Sequence, residues 1–187
     1  MKAKVSAHRV RGYGGTVRTA QRLTEEAMRL VARSVSGRMP DVEVILTDPR
    51  GLAELATAAD AELAGVLDSR TRTRVEKGAR RALRDISACS IPRRDGRVLV
   101  LVNVDRHPTP ALLAVTLVHQ LVHAMQVSRP KVVDKVIASE RDRFRVERMS
   151  SRARREFDRQ LDEHEREAYS REHLADHLVP GASSRTA

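Results

Sequence analysis

At 187 residues with one cysteine, Cys89, the chain has the length to bury a core of its own and cannot form an internal disulfide, which excludes a disulfide-stapled scaffold and favours a reducing compartment. Lys and Arg number 35 against 25 Asp and Glu, a net charge of +10 that suits anionic partners such as nucleic acid, although the two signs are interleaved along much of the chain. Aromatic residues are only 2%, too few for a single-strand binder that stacks bases, and the pattern offers neither an apolar leader nor a membrane span, so a cytoplasmic protein without membrane contact is expected.

In chain order, residues 1–15 are rich in Gly and Arg and read as a flexible basic arm, followed by one domain over 16–178 and a disordered tail over 179–187. From Thr16, the positions Val17, Ala20, Leu23, Ala27, Leu30 and Val31 recur at helical spacing, and Gly37 closes the run. Residues 42–47 alternate as a strand, with Val42, Val44 and Leu46 on one side. Gly51 to about Ser87 is alanine-rich and helix-like, with a break expected near "LDSRTRTR". Residues 88–91 and 97–104 are β-prone around Asp95-Gly96, which predicts a hairpin, and the unbroken apolar run at 98–102 predicts a strand covered on both faces. Thr109 and Pro110 are suited to open a helix over 110–127 that is apolar nearly all round and must cross the core. Pro130 stops it. Beyond lies a densely charged helical region with Met149, Ala153, Phe157 and Leu161 as its expected apolar stripe.

The core helix carries His119 and His123. Four residues apart, they share one face, close enough for two imidazoles to bind one metal ion. A second pair, His173 and His177, has the same spacing but sits among Glu172 and Asp176 in a polar setting expected at the surface. In the core a histidine needs a partner for each ring nitrogen. A metal is one solution, and hydrogen bonds to carboxylates or carbonyls are the other.

The stretch "VTLVHQLVHAMQ" is similar to the active-site helix of zincin metallopeptidases, whose His-Glu-x-x-His motif supplies two zinc ligands and the general base. Both histidines match, as do Leu121 and Val122 between them and Ala124 after them; Gln120 replaces the catalytic glutamate. The resemblance implies an α+β fold, a small zincin-like domain with about three strands packed on a buried active-site helix and helical N- and C-terminal parts. It implies Zn2+ held by His119, His123 and a carboxylate from a later helix. Glu167 in "EAYS" resembles the Glu-Ala-x-Ser/Asp pattern of the glutamate-ligand branch, and Leu174 and Leu178 project within about 20° of it on a continuous helix. Glu163 is the second choice, and His164 a further ligand or hydrogen-bond donor to one.

The substrate so implied is a peptide or protein added along the sheet edge. Gln120 has the shape of the missing base without its basicity, so hydrolysis is expected to be absent or strongly impaired, whether this is a natural pseudoenzyme or an inactivated variant. His107 and Glu163 are the candidates for a substitute base, and Tyr169 either stabilises an oxyanion or packs beside Ala168. The alternative is a basic nucleic-acid-binding or adaptor protein with structural histidines. A non-catalytic zinc-stabilised interaction domain lies between the two, and Cys89 is expected only to pack.

Overall fold

A computed structural model of the chain describes residues 1–10, 14–66, 68–129 and 131–185. Strand β1 (Ala3–His8) leads into helix α1 (Gly14–Ser34), then β2 (Val42–Thr47), α2 (Pro49–Ala64), α3 (Ser69–Ala82), the hairpin β3 (Ala88–Pro92) and β4 (Val98–Asn103), and helices α4 (Pro110–Val127), α5 (Val132–Arg143) and α6 (Ser151–Arg171). The fold is α+β with a four-stranded mixed sheet in the order β1-β2-β4-β3. The first three strands in that order run parallel, and β3 is an antiparallel edge strand.

The period of two in the strands divides the core. Val42, Val44, Leu46, Val98, Val100 and Val102 face α1 and α4. Leu99, Leu101 and Ile91 face Leu52, Ala56 and Ala59 of α2, with Cys89 packed beside them as expected. All six residues of β4 are buried, which matches its unbroken apolar run. The expected hairpin is present: Gly96 takes φ 80°, and Asp95 Oδ1 accepts from Arg97 N at 3.0 Å.

The predicted break after α2 falls between a left-handed Gly65 cap and Asp68, which caps α3 with both carboxylate oxygens. Thr109 Oγ1 accepts from Leu112 N at 3.3 Å and starts α4 with Pro110 in its first turn. By length and composition α4 would cross a membrane, which no segment was expected to do, but here it lies mostly buried in the core.

Three expectations are corrected. The supposed arm contains β1, which pairs parallel with β2 from Ala3 opposite Val42 to His8 opposite Thr47; residues 11–13 lie outside the described residues. Its pattern is weak because Ala3, Val5 and Ala7 offer little apolar area, and pairing to β2 supplies what propensity does not. Gln21 of α1 adds a clamp, accepting from Val5 N at 3.0 Å. The supposed tail packs as far as Ala182, which is fully buried, while residues 186 and 187 lie outside the described residues. On α6 the buried residues are Phe157, His164 and Ala168, whereas Leu161 is 43% exposed and Ala153 is exposed, so of the stripe expected on this helix only Phe157 is buried.

Against the α2 face, Asp60 and Glu140 share the Arg143 guanidinium, at 2.5 and 2.6 Å. Burial, then the neighbouring Glu140, pushes the Asp60 carboxyl up to about 7. A folded pKa above the unfolded one means that the fold holds an extra proton between them, so this contribution is full below about pH 4 and is lost as pH rises through 7. Urea denaturation at pH 5 and pH 8 is expected to show the intact chain losing about 1 kcal/mol or more relative to Asp60→Asn over that interval.

Candidate metal centre

His119 and His123 lie on the side of α4 that packs against α6 and a 3₁₀ turn, Glu172–His177, that continues α6. Their side chains are 12% and 15% exposed. Just before α4, His107 engages both ring nitrogens, Nδ1 with the Asn103 carbonyl at 2.6 Å and Nε2 with Thr116 Oγ1 at 2.8 Å. Burial depresses its pKa, and with both nitrogens occupied it fixes the loop entering α4 and is not placed as a base.

Tautomers follow from the partners. His119 Nδ1 lies 2.8 Å from Glu172 Oε1; an ionised carboxylate only accepts, so this nitrogen carries the proton. His123 Nδ1 lies 2.7 Å from Gln126 Oε1. The Gln126 amide cannot flip without loss, because its Nε2 donates to the His164 carbonyl and to Glu167 Oε2, both at 2.9 Å. His123 Nδ1 is therefore protonated as well. Burial, then the adjacent His119, depresses the His123 pKa and keeps that ring neutral.

The two Nε2 atoms face each other at 2.9 Å, where either a proton shared between the rings or a metal ion in its place joins them. Glu165 completes the group, its carboxylate oxygens 3.4 Å from His119 Nε2 and 3.3 Å from His123 Nε2. The three ligand atoms lie within 4.8 Å of one another. Two imidazole nitrogens and a carboxylate thus converge on one point, each able to give a lone pair to a cation held among them.

The expected third donor, Glu167, is turned the other way. It accepts from Gln126 and from Arg129 Nη2, the latter at 3.1 Å. Partial burial works to raise its carboxyl, but these hydrogen bonds together hold it below the ordinary value. The correction has a geometric cause. The projection to Leu174 and Leu178 assumed a continuous helix, whereas α6 ends at Arg171 and tightens into the 3₁₀ turn. At 100° per residue Glu165 and Glu167 flank buried Ala168 on opposite sides, by about 60° and about 100°, and the histidines lie on the Glu165 side.

Glu163, the second choice, is exposed on the far side of α6, where it lines a cleft with Lys135 and Arg159. His164 is buried and serves through its backbone carbonyl; burial, then Arg129, lowers its pKa. Tyr169 is 63% exposed and stands edge-on to His119 with ring centroids 4.9 Å apart. His173 and His177 are both exposed, as their polar setting suggested.

Gln120, 8% exposed, turns toward the edge strand. Ser90 Oγ donates to Gln120 Oε1 at 2.8 Å and lies 3.0 Å from its carbonyl, tying β3 to α4 directly beside the histidine pair. Glu165, Glu172 and Gln126 were not singled out from the sequence. The carboxylates stood in the right segment, but only the packing of α6 on α4 distinguishes them from their neighbours.

No protein-family model, no curated protein and no solved structure matches this chain. Gln126→Leu is expected to leave His123 Nδ1 and the His164 carbonyl without partners and to lower stability by about 1–3 kcal/mol, read from the urea unfolding midpoint.

Proposed function

We propose that the chain is a zinc-binding protein of the metallopeptidase type whose hydrolytic step is absent or strongly impaired. One observation carries this reading: the Nε2 atoms of two core histidines and a carboxylate converge on one point. Two nitrogens and one oxygen form a donor set that zinc accepts, and three protein donors leave a position open. The Nδ1 partners Glu172 and Gln126 supply the outer hydrogen bonds that orient metal-binding histidines. Zinc held there would acidify a water and polarise a carbonyl.

The neighbouring side chains limit the chemistry. Gln120 occupies the position of the general base; its amide orients a neighbour by hydrogen bonding but accepts no proton at neutral pH, and loss of such a base typically removes about 10²–10⁴-fold in rate. Tyr169, whose ring stands edge-on to His119, would be the donor to a developing oxyanion.

The peptide substrate pairs with β3. In the β3–β4 ladder Ser87 opposes Asn103 and Arg93 opposes Arg97 as hydrogen-bonded pairs, so by alternation Cys89 and Ile91 also turn their backbone groups inward. Ala88 and Ser90 then turn theirs outward, along the free edge next to Gln120.

Metal analysis after exhaustive dialysis should find about one equivalent of zinc in the intact chain and in Glu167→Gln, with tenfold or weaker retention in Glu165→Gln and none in His123→Ala. Gln120→Glu should gain peptide hydrolysis by about 10²-fold or more on a mixed peptide library. An intact chain that takes up no zinc would overturn the reading, as would retention that depends on Glu167 and not on Glu165. A zinc-loaded Gln120→Glu that stays inert would replace the impaired peptidase with a non-catalytic zinc domain.

A further inference from the structure

Charge interleaving, so even along most of the chain, fails on α3. Six of its 14 residues are cations (Arg70, Arg72, Arg74, Lys77, Arg80 and Arg81) and Glu76 is its only carboxylate. The most charged helix, α6, carries six arginines against six carboxylates. Arg80 pairs with Glu76 at 2.6 Å, and among the described residues it is the only cation of α3 in an ion pair.

The remaining cations are sorted by helical geometry. At 100° per residue Arg70, Arg74, Lys77 and Arg81 fall within about 60° of one another, and all four are exposed. The opposite side holds Ala79, the one buried residue of α3, and Val75, which packs on Phe144, Ala61 and Ala64. The helix is thereby anchored by its apolar side and presents a straight cationic ridge about 16 Å long. Arg84, exposed just past the Leu83 cap, extends it.

We propose that this ridge is a binding surface for the sugar-phosphate backbone of duplex nucleic acid, separate from the metal centre and independent of it. Its length matches about five nucleotides of one strand at 3.4 Å each. Arginine, three of the four ridge residues, offers a planar fork of donors to phosphate oxygens. A lipid surface fits less well, because an interfacial helix must expose an apolar side and that of α3 is turned into the protein. Base stacking has no platform on α3, which has no aromatic residue, so recognition runs through phosphates and is indifferent to sequence.

The test is the salt dependence of binding to a fluorescent 20-base-pair DNA duplex, with EDTA present so that metal plays no part. Four phosphate contacts predict that log K falls against log salt with a slope of about −3.6. Arg74→Gln/Lys77→Gln should reduce the slope by about 2, and adding Arg70→Gln and Arg81→Gln should abolish binding at near-physiological salt while circular dichroism keeps its helical signal. A control removes equal charge elsewhere, through Arg18→Gln, Arg29→Gln, Arg33→Gln and Arg155→Gln, and should keep the slope within about one unit of the intact chain. A control that weakens binding as much as the ridge variants overturns the proposal in favour of net charge alone. Absence of duplex binding at low salt also overturns it, as does equal binding to phosphatidylserine vesicles.

Discussion

Two imidazoles whose Nε2 atoms meet on a core helix need a proton or a cation between them, and much of the surrounding structure holds them in that arrangement. Glu172 and Gln126 fix one proton on each outer nitrogen. Gln126 is itself held by the His164 carbonyl and by Glu167. Arg129 then balances Glu167, so its charge is committed to this scaffold and is turned away from the histidines. A buried amide with every polar atom engaged specifies one orientation, whereas a partly satisfied one would let the ring rotate and the two Nε2 atoms move apart. Their convergence is therefore a property of the network and not of the two histidines alone.

The fold supplies the rigidity on which that network depends. Helix α4 lies between a fully buried strand surface and α6, so its axial position is set by packing on both sides. His107 locks the entry to α4, and the 3₁₀ turn after Arg171 brings Glu172 to His119 while placing Leu174 in the core. The edge strand is joined to the same helix through Ser90 and Gln120. Motion of β3 relative to α4 thus has to break this hydrogen bond.

Elements whose signals are local were legible in the sequence. The alternation of β2, the Asp95-Gly96 hairpin, the Thr109 cap and the apolar circumference of α4 each arise within a few residues, and each appears as expected. Strand β1 was not legible, because its alanines and serine acquire strand geometry from β2, almost forty residues later. The histidine pair could be found because its spacing matches the helical repeat. The carboxylate beside it could not, since Glu165 and Glu167 flank the same buried stripe and only the side on which α4 docks separates them. Likewise the charge of α3 is visible in composition, but its ridge emerges only when Val75 and Ala79 fix which side faces in.

Gln120 shows how the core and the chemistry compete for one position. It is nearly buried and accepts a hydrogen bond from Ser90, a bond that a carboxylate of the same length would accept as readily. A glutamate there would place a negative charge in a nearly buried position, where desolvation of an unpaired carboxylate costs several kcal/mol and a cation at the histidine pair would be one way to offset it. The amide avoids that dependence: it keeps the strand-to-helix bond, leaves the core neutral at this point with or without metal, and gives up basicity alone. Glutamine here thus leaves the packing of β3 on α4 independent of any cation at the histidine pair, whereas glutamate would make it depend on one.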